Sequence, residues 1–126
     1  MTRLLAIDDE EEILAHIKSV AEGLGITTQT LSDTLRFMTT FVRFKPDIIA
    51  LDLVMPDMDG VEIIQWLIDV DYSGRLIIIS GHSDYRRMGV AMADARQRMI
   101  VGSLPKPFRL SELRAVLSAA PMPVER

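Results

Sequence analysis

A chain of 126 residues is one ordinary domain, long enough to bury roughly two-thirds of the surface its unfolded form exposes, so no disulfide or structural metal is needed to hold it. It contains no cysteine, which excludes thiolate metal sites, cysteine nucleophiles and disulfides, and fits a reducing compartment. With 14 basic against 18 acidic residues, a formal net charge of −4 and no basic cluster longer than Arg86-Arg87, it offers no surface that tracks nucleic-acid phosphates, and no apolar run approaches the ~18 residues of a membrane span.

The expectation is a cytoplasmic protein without membrane contact or direct nucleic-acid binding. Residues 4–7 are a short apolar run stopped by Asp8-Asp9-Glu10, and they read as a first, interior strand. Ile13, Leu14, Ile17, Val20, Ala21 and Leu24 then recur at helical spacing behind an acidic first turn, and Gly23 and Gly25 end that helix. Residues 26–31 are β-branched but half polar, which suits an edge strand. Ser32 is placed to cap a second helix carrying Leu35, Met38 and Phe41 or Val42.

Residues 48–51, between Pro46 and Met55-Pro56, have the length and apolarity of a strand buried on both faces, and Asp52 follows directly. Pro56 and Gly60 shape a turn into a third helix with Val61, Ile64, Leu67 and Ile68 on its apolar face, and Ser73-Gly74 break it. Residues 76–79 form a fourth apolar run, stopped by Ser80-Gly81. Asp84 is placed to cap a fourth helix using Met88, Ala91, Met92 and Ala95, weakened by Gly89. Residues 100–104 are a fifth strand, followed by Pro105-Lys106-Pro107. Leu110, Leu113, Val116 and Leu117, capped by Ser111 or its neighbour, make the last helix before Pro121 and Pro123.

This fivefold alternation implies parallel strands joined by right-handed crossovers with helices on both faces. The half-polar second strand belongs at an edge, as the flavodoxin-like (βα)5 doubly wound sheet of order 2-1-3-4-5 has it. That order brings Asp8-Asp9, Asp52, Ser80 and Lys106 to one edge, at the C-terminal ends of strands one, three, four and five. Three carboxylates and one lysine cannot be held together in a crevice unless some pKa values rise or a cation enters. Mg²⁺ answers that problem with a few carboxylate oxygens, a carbonyl and several waters, and leaves room for a phosphoryl oxygen. A carboxylate beside such an ion, with a lysine and a hydroxyl nearby, is equipped to accept a phosphoryl group.

The set Asp8-Asp9, Asp52 in D-x-x-M-P-x-M-D-G, Ser80-Gly81 and Lys106-Pro107-Phe108 resembles the receiver domain of two-component response regulators, over about residues 3–120. The resemblance implies Asp52 as phosphoacceptor, Asp8, Asp9, Asp52 and the Val54 carbonyl as the Mg²⁺ site, where Mn²⁺ or Ca²⁺ can substitute, and Ser80, Gly81 and Lys106 at the phosphoryl group. It also implies a cis Lys106-Pro107 bond. The expected function is a phosphorylation-controlled signalling module that takes its phosphoryl group from a histidine kinase or histidine phosphotransfer protein and acts on an output domain or partner through the fourth helix, fifth strand and fifth helix, a surface also suited to a homodimer. It takes part in its own phosphotransfer without turning over an external substrate. Residues 1–120 would be the receiver and 121–126 a tail or the start of a linker.

One position departs from the family pattern: Ser103 stands where an aromatic ring usually turns with the hydroxyl residue. Signal would then leave through the fourth helix and fifth strand, with Met88, Met92 and Met99 as an adaptable packing layer. A docking-only receiver is the alternative. A phosphatase using Asp52 is disfavoured because Val54 supplies no general acid, and a flavin site because the turn after the first strand is acidic. His16 and His82 read as solvent-facing, and Trp66 as packing.

Overall fold

The computed structural model describes residues 1–55, 59–94 and 99–119; Pro56, Ala95, Pro121, Pro123 and the 121–126 tail lie outside the described residues. The chain alternates β1 (Arg3–Ile7), α1 (Glu11–Gly23), β2 (Thr27–Leu31), α2 (Phe37–Phe44), β3 (Ile48–Asp52), α3 (Gly60–Asp69), β4 (Arg75–Ser80), α4 (Ser83–Asp94), β5 (Ile100–Pro105) and α5 (Leu110–Ala119). All neighbouring strands pair in parallel, in the order β2-β1-β3-β4-β5. This is the doubly wound flavodoxin-like arrangement that the alternation predicts.

The period-two alternation of side chains divides the core into two layers. Leu4, Ala6, Ile48, Ala50, Ile77 and Ile79 pack against Leu14, Ile17 and Val20 of α1 and Leu113 and Leu117 of α5. Leu5, Ile7, Ile49, Leu51, Leu76 and Ile78 pack on the other face against Phe37 of α2, Ile63, Ile64 and Leu67 of α3, and the α4 side chains Val90 and Met92. Strands β3 and β4 are buried at every position, which is why they read as continuous apolar runs. Each fully buried Leu or Ile stabilises the fold by roughly 1.5–3 kcal/mol, so the central strands β1, β3 and β4 hold the sheet edge rigid where the polar residues gather.

Several helix faces differ from the sequence expectation. α2 starts at Phe37, behind the N-cap Arg36, and Ser32 does not cap it; Asp33 instead accepts from the Leu35 N–H in the turn before the helix. Its buried face is Phe37, Phe41 and Phe44, while Leu35, Met38 and Val42 face solvent. The reason is a ring cluster: Trp66 of α3 meets Phe37 edge-on at 5.5 Å and Phe41 at 5.0 Å, and Phe41 meets Tyr72 at 5.5 Å, an attraction the three smaller side chains cannot match. Trp66 is thus packing, as its sequence context suggests.

In α3, Ile63 rather than Val61 shares the core with Ile64 and Leu67. In α4, which begins at Ser83 and so holds Asp84 inside rather than at its cap, Met88 and Ala91 are exposed. The core contact there is Gly89: a Cβ on it would come within 3.1–3.3 Å of the terminal methyls of Leu53, Ile64 and Ile78. Met99 is buried and Met92 partly so, which leaves Met88 outside the expected methionine layer. Leu24 and Leu110 are half-exposed at helix ends, and Ser111 lies inside the first turn of α5, where its neighbour Glu112 accepts from the Arg109 N–H at 2.7 Å.

Two backbone devices fix the elements around the site. Lys45, in the left-handed conformation at φ 55°, terminates α2 ahead of Pro46 and β3. Gly60 starts α3 pressed against the end of β3, its N–H donating to the Leu53 carbonyl at 2.8 Å; a Cβ there would fall 2.6 Å from Leu53 Cα and 2.8 Å from the Asp52 carbonyl oxygen. At the opposite end of the sheet, the buried Arg75 guanidinium donates to the carbonyls of Leu117 at 3.1 Å and Val116 at 2.5 Å, closing the last turn of α5 onto β4. Among the described residues, no helix is long and apolar enough to cross a membrane.

Candidate functional site

The C-terminal ends of the parallel strands bring Asp8, Asp52, Ser80 and Lys106 to one edge, where the chain turns from each strand into its helix or loop. Asp52 is the last residue of β3 and is only 4% exposed; Asp8, just past β1, is 1% exposed. Lys106, just past β5, reaches across β4 toward the ends of β3 and β1. Its Nζ lies 2.9 Å from Asp8 Oδ2, 3.4 Å from Asp52 Oδ2 and 3.4 Å from Glu10 Oε2. Glu10 is the participant that sequence reasoning did not single out; the only sign of it was its place in the Asp8-Asp9-Glu10 run.

Local backbone geometry holds these groups. The Glu10 N–H donates to Asp8 Oδ1 at 2.9 Å, and the Asp8 N–H donates to the Leu31 carbonyl at 3.1 Å. The Val54 N–H donates to Asp52 Oδ1 at 3.4 Å, while the Val54 side chain itself is 42% exposed. Ser80 is fully buried, with its Oγ accepting from the His82 N–H at 3.0 Å and lying 3.3 Å from the His82 carbonyl. Its own carbonyl accepts from the Lys106 N–H at 3.0 Å and from Arg86 Nη1, on α4, at 3.3 Å. The Lys106-Pro107 peptide bond is cis.

The remaining predicted positions are placed more loosely. Asp9 is exposed, with a carboxylate oxygen within 4.8 Å of those of Asp8 and Glu10. Gly81 is exposed beside Lys106. Ser103 stands on β5 opposite Ile78 and is exposed, apart from the acid cluster. His16 and His82 are both exposed, and His82 meets the site through its backbone.

The electrostatics follow from burying like charges together. Burial, and then the neighbouring Asp8 charge, push the Asp52 carboxyl up to about 6, with Lys106 and the Val54 N–H opposing them only in part. Burial also raises Asp8, against the Glu10 N–H and Lys106. Burial by itself would lower the Lys106 ammonium, but its pairing with Asp8, Asp52 and Glu10 outweighs that and raises it. One lysine thus faces three acids. Asp8 Oδ2 is buried and, beyond this ion pair, has no hydrogen-bond partner among the described residues. Such an oxygen, in a trio of carboxylates whose oxygens lie within 4.8 Å of one another, fits a hard divalent cation with oxygen ligands. A lysine-paired carboxylate raised by burial beside a second acid is a group whose ionisation depends on what neutralises its surroundings.

The model of the response regulator receiver domain family matches residues 4–118. Among curated proteins, the KDP operon transcriptional regulatory protein KdpE of Escherichia coli is 32% identical over 120 residues, covering 95% of this chain and 51% of KdpE. The C4-dicarboxylate transport transcriptional regulatory protein DctD of Pseudomonas aeruginosa is 25% identical over 124 residues, covering 98% of this chain and 27% of DctD. The chain therefore spans about half or less of the curated relatives it matches. Among solved structures, a Francisella response regulator receiver domain superposes with a TM-score of 0.80 at 24% identity, covering 94% of this chain and 95% of that one. The Thermotoga maritima response regulator TrrA, in complex with Mg²⁺-BeF, superposes with a TM-score of 0.78 at 23% identity, covering 94% and 98%. Both likenesses are of fold.

Proposed function

Because this chain belongs to the response regulator receiver domain family, we propose that Asp52 accepts a phosphoryl group from the phosphohistidine of a sensor kinase or phosphotransfer protein, and that the phosphorylated domain then regulates an output domain or partner. The observation that carries this reading is the position of Lys106 Nζ between Asp8 and Asp52 at the buried strand edge.

Asp8, Asp9, Asp52 and the carbonyl of Val54 would hold Mg²⁺, with Mn²⁺ or Ca²⁺ as substitutes and Glu10 as a nearby acid. When bound, the ion supplies neutralisation of charge on the carboxylates and on the transferring phosphoryl oxygens. The rest is done by side chains of this chain. An Asp52 carboxylate oxygen forms the new O–P bond as the donor's P–N bond breaks, and the bonding pair returns to the imidazole nitrogen of the donor. Lys106, already 3.4 Å from Asp52, keeps its charge throughout and pairs with a phosphoryl oxygen once Asp52 carries the acyl phosphate. Ser80 Oγ exchanges its His82 backbone contacts for a hydrogen bond to another phosphoryl oxygen, while Gly81 gives the group room. Val54 presents no group that orients a hydrolytic water, so the acyl phosphate is long-lived, and no external substrate is turned over.

Movement of Ser80 would reach the surface of α4, β5 and α5, the face through which a partner, an output domain or a second copy is engaged. Ser103 favours one other reading, a receiver that docks its partner without phosphorylation, since no ring is present to report on Ser80. The deciding experiment is incubation with Mg²⁺ and acetyl phosphate, or with beryllofluoride, comparing wild type with Asp52→Ala. The expected result is a mass increase of one phosphoryl group and amide shifts around Ser80 and Lys106 in wild type alone. No Asp52-dependent change would leave the docking-only reading.

A further inference from the structure

The solvent-facing side of α2 is apolar and basic in a chain that is otherwise acidic. Met38 and Val42, four residues apart on α2, are 50% and 65% exposed, and Leu35, in the turn just ahead of the helix, is 86% exposed. The segment 35–45 holds Arg36, Arg43 and Lys45, all exposed, and no acid, within a chain of net charge −4. None of these three cations forms an ion pair with a described residue. Behind the stripe, an apolar groove of about 240 Å³ runs between α2 and α3, lined by Leu35, Met38, Ile63 and Trp66. Its α3 bank carries Glu62, the one charged residue lining it among the described residues, while the exposed cations belong to α2 and its flanking turns.

Aromatic packing explains why Phe37, Phe41 and Phe44 point inward, but it gives no reason for three large apolar side chains to face water on the opposite side. Their flanking cations state the chemistry of what would cover them. From this stripe we infer a docking surface for an acidic amphipathic helix of a partner protein. Its apolar residues would sit on Leu35, Met38 and Val42, and its carboxylates would meet Arg36, Arg43 and Lys45. Glu62 repels those carboxylates from the α3 bank and so fixes the helix over α2. Met38 to Val42 spans about 6 Å of α2, one turn of a bound helix, and Leu35 extends the surface into the preceding turn. It lies on a different helix from the α4, β5 and α5 face and does not include Asp52, so it goes beyond the phosphotransfer reading.

The test uses the full chain, isotope-labelled, without a phosphodonor. The probe is a synthetic helical peptide of about 18 residues, above the ~15 below which isolated helices are marginal, with leucines at i, i+3 and i+7 flanked by glutamates. Expected are amide shifts confined to residues 34–45 and 62–66, the same in Asp52→Ala as in wild type. Leu35→Ser with Val42→Ser, or Arg36→Glu with Arg43→Glu, should weaken binding about tenfold or more; all four side chains are exposed, and circular dichroism checks that the variants stay folded. The inference is overturned by an absence of shifts in wild type, or by equal affinity for a peptide with glutamine in place of glutamate. It is also overturned if sedimentation shows self-association that Leu35→Ser abolishes, which would make the occupant a second copy, or if the chain binds phosphatidylglycerol vesicles but not the peptide. Because Asp52→Ala is part of the series, failure here is separable from failure of phosphoryl transfer.

Discussion

Arg86 on α4 donates a hydrogen bond to the carbonyl of Ser80 at 3.3 Å, so the helix that would carry the signal is tied to the residue that would hydrogen-bond the phosphoryl group on Asp52. The same carbonyl accepts from the Lys106 N–H, which places β4, α4 and the loop after β5 on one oxygen. With Ser103 exposed and ringless, this link offers a route from Ser80 to α4. Arg86→Ala is expected to leave the rate of Asp52 phosphorylation by acetyl phosphate within about twofold of wild type, while shrinking the beryllofluoride-induced amide shifts in 83–94. Unchanged α4 shifts in the variant would remove Arg86 from the route.

Asp52 gives a signed dependence of stability on pH. Its carboxyl ionises near the ordinary 3.8 in the unfolded chain and at about 6 in the fold, so folding favours its protonated form. That contribution is fully present below pH 3.8 and is lost as pH rises through about 6. Without divalent ions, Asp52→Asn should therefore be more stable than wild type near neutral pH, by about 1–3 kcal/mol, with the gap closing toward about pH 4. Urea midpoints at the two pH values measure it; a wild type as stable as Asp52→Asn near neutrality would contradict the origin assigned to the shift.

Two glycines separate conformational need from mere occupancy. Gly60→Ala would drive a methyl into the backbone of Asp52 and Leu53 and is expected to cost about 1–3 kcal/mol and to slow phosphorylation by displacing the end of β3. Gly23→Ala, at a helical position with nothing within 4 Å of the new methyl, should be neutral or stabilise by about 0.5–1 kcal/mol. Chemical denaturation of the pair reads both, and equal effects would show that the close approach at Gly60 relaxes freely.

Val54 stands two residues past Asp52 with an exposed apolar side chain. Val54→Asn should shorten the half-life of the phosphorylated domain several-fold by giving a hydrolytic water a polar neighbour. Decay followed by intact mass compares the two proteins, and equal half-lives would sink the idea.

Most of the sheet and the acid edge could be read from sequence because buried parallel strands are continuous apolar runs, and the runs of β1, β3 and β4 stop at Asp8, Asp52 and Ser80. The helix faces were less legible where packing, rather than period, decides. α2 is apolar on two sides, and only the edge-on contacts of Trp66 with Phe37 and Phe41 select which side is buried. α4 meets the core through Gly89, a residue with no side chain for a hydrophobic pattern to register. Glu10 joined the site only because Lys106 folds back from a distant strand to within 3.4 Å of it, a separation no local pattern encodes.

Arg75 gives β4 a mechanical character. One end of the strand is hooked through a guanidinium to the final carbonyls of α5, and the other ends in Ser80. The strand is a tie rod between the acid edge and the far end of the last helix, buried at every residue and so stiff in extension. Any tug on Ser80 along the strand axis is felt at Val116 and Leu117 with no loop in between to absorb it.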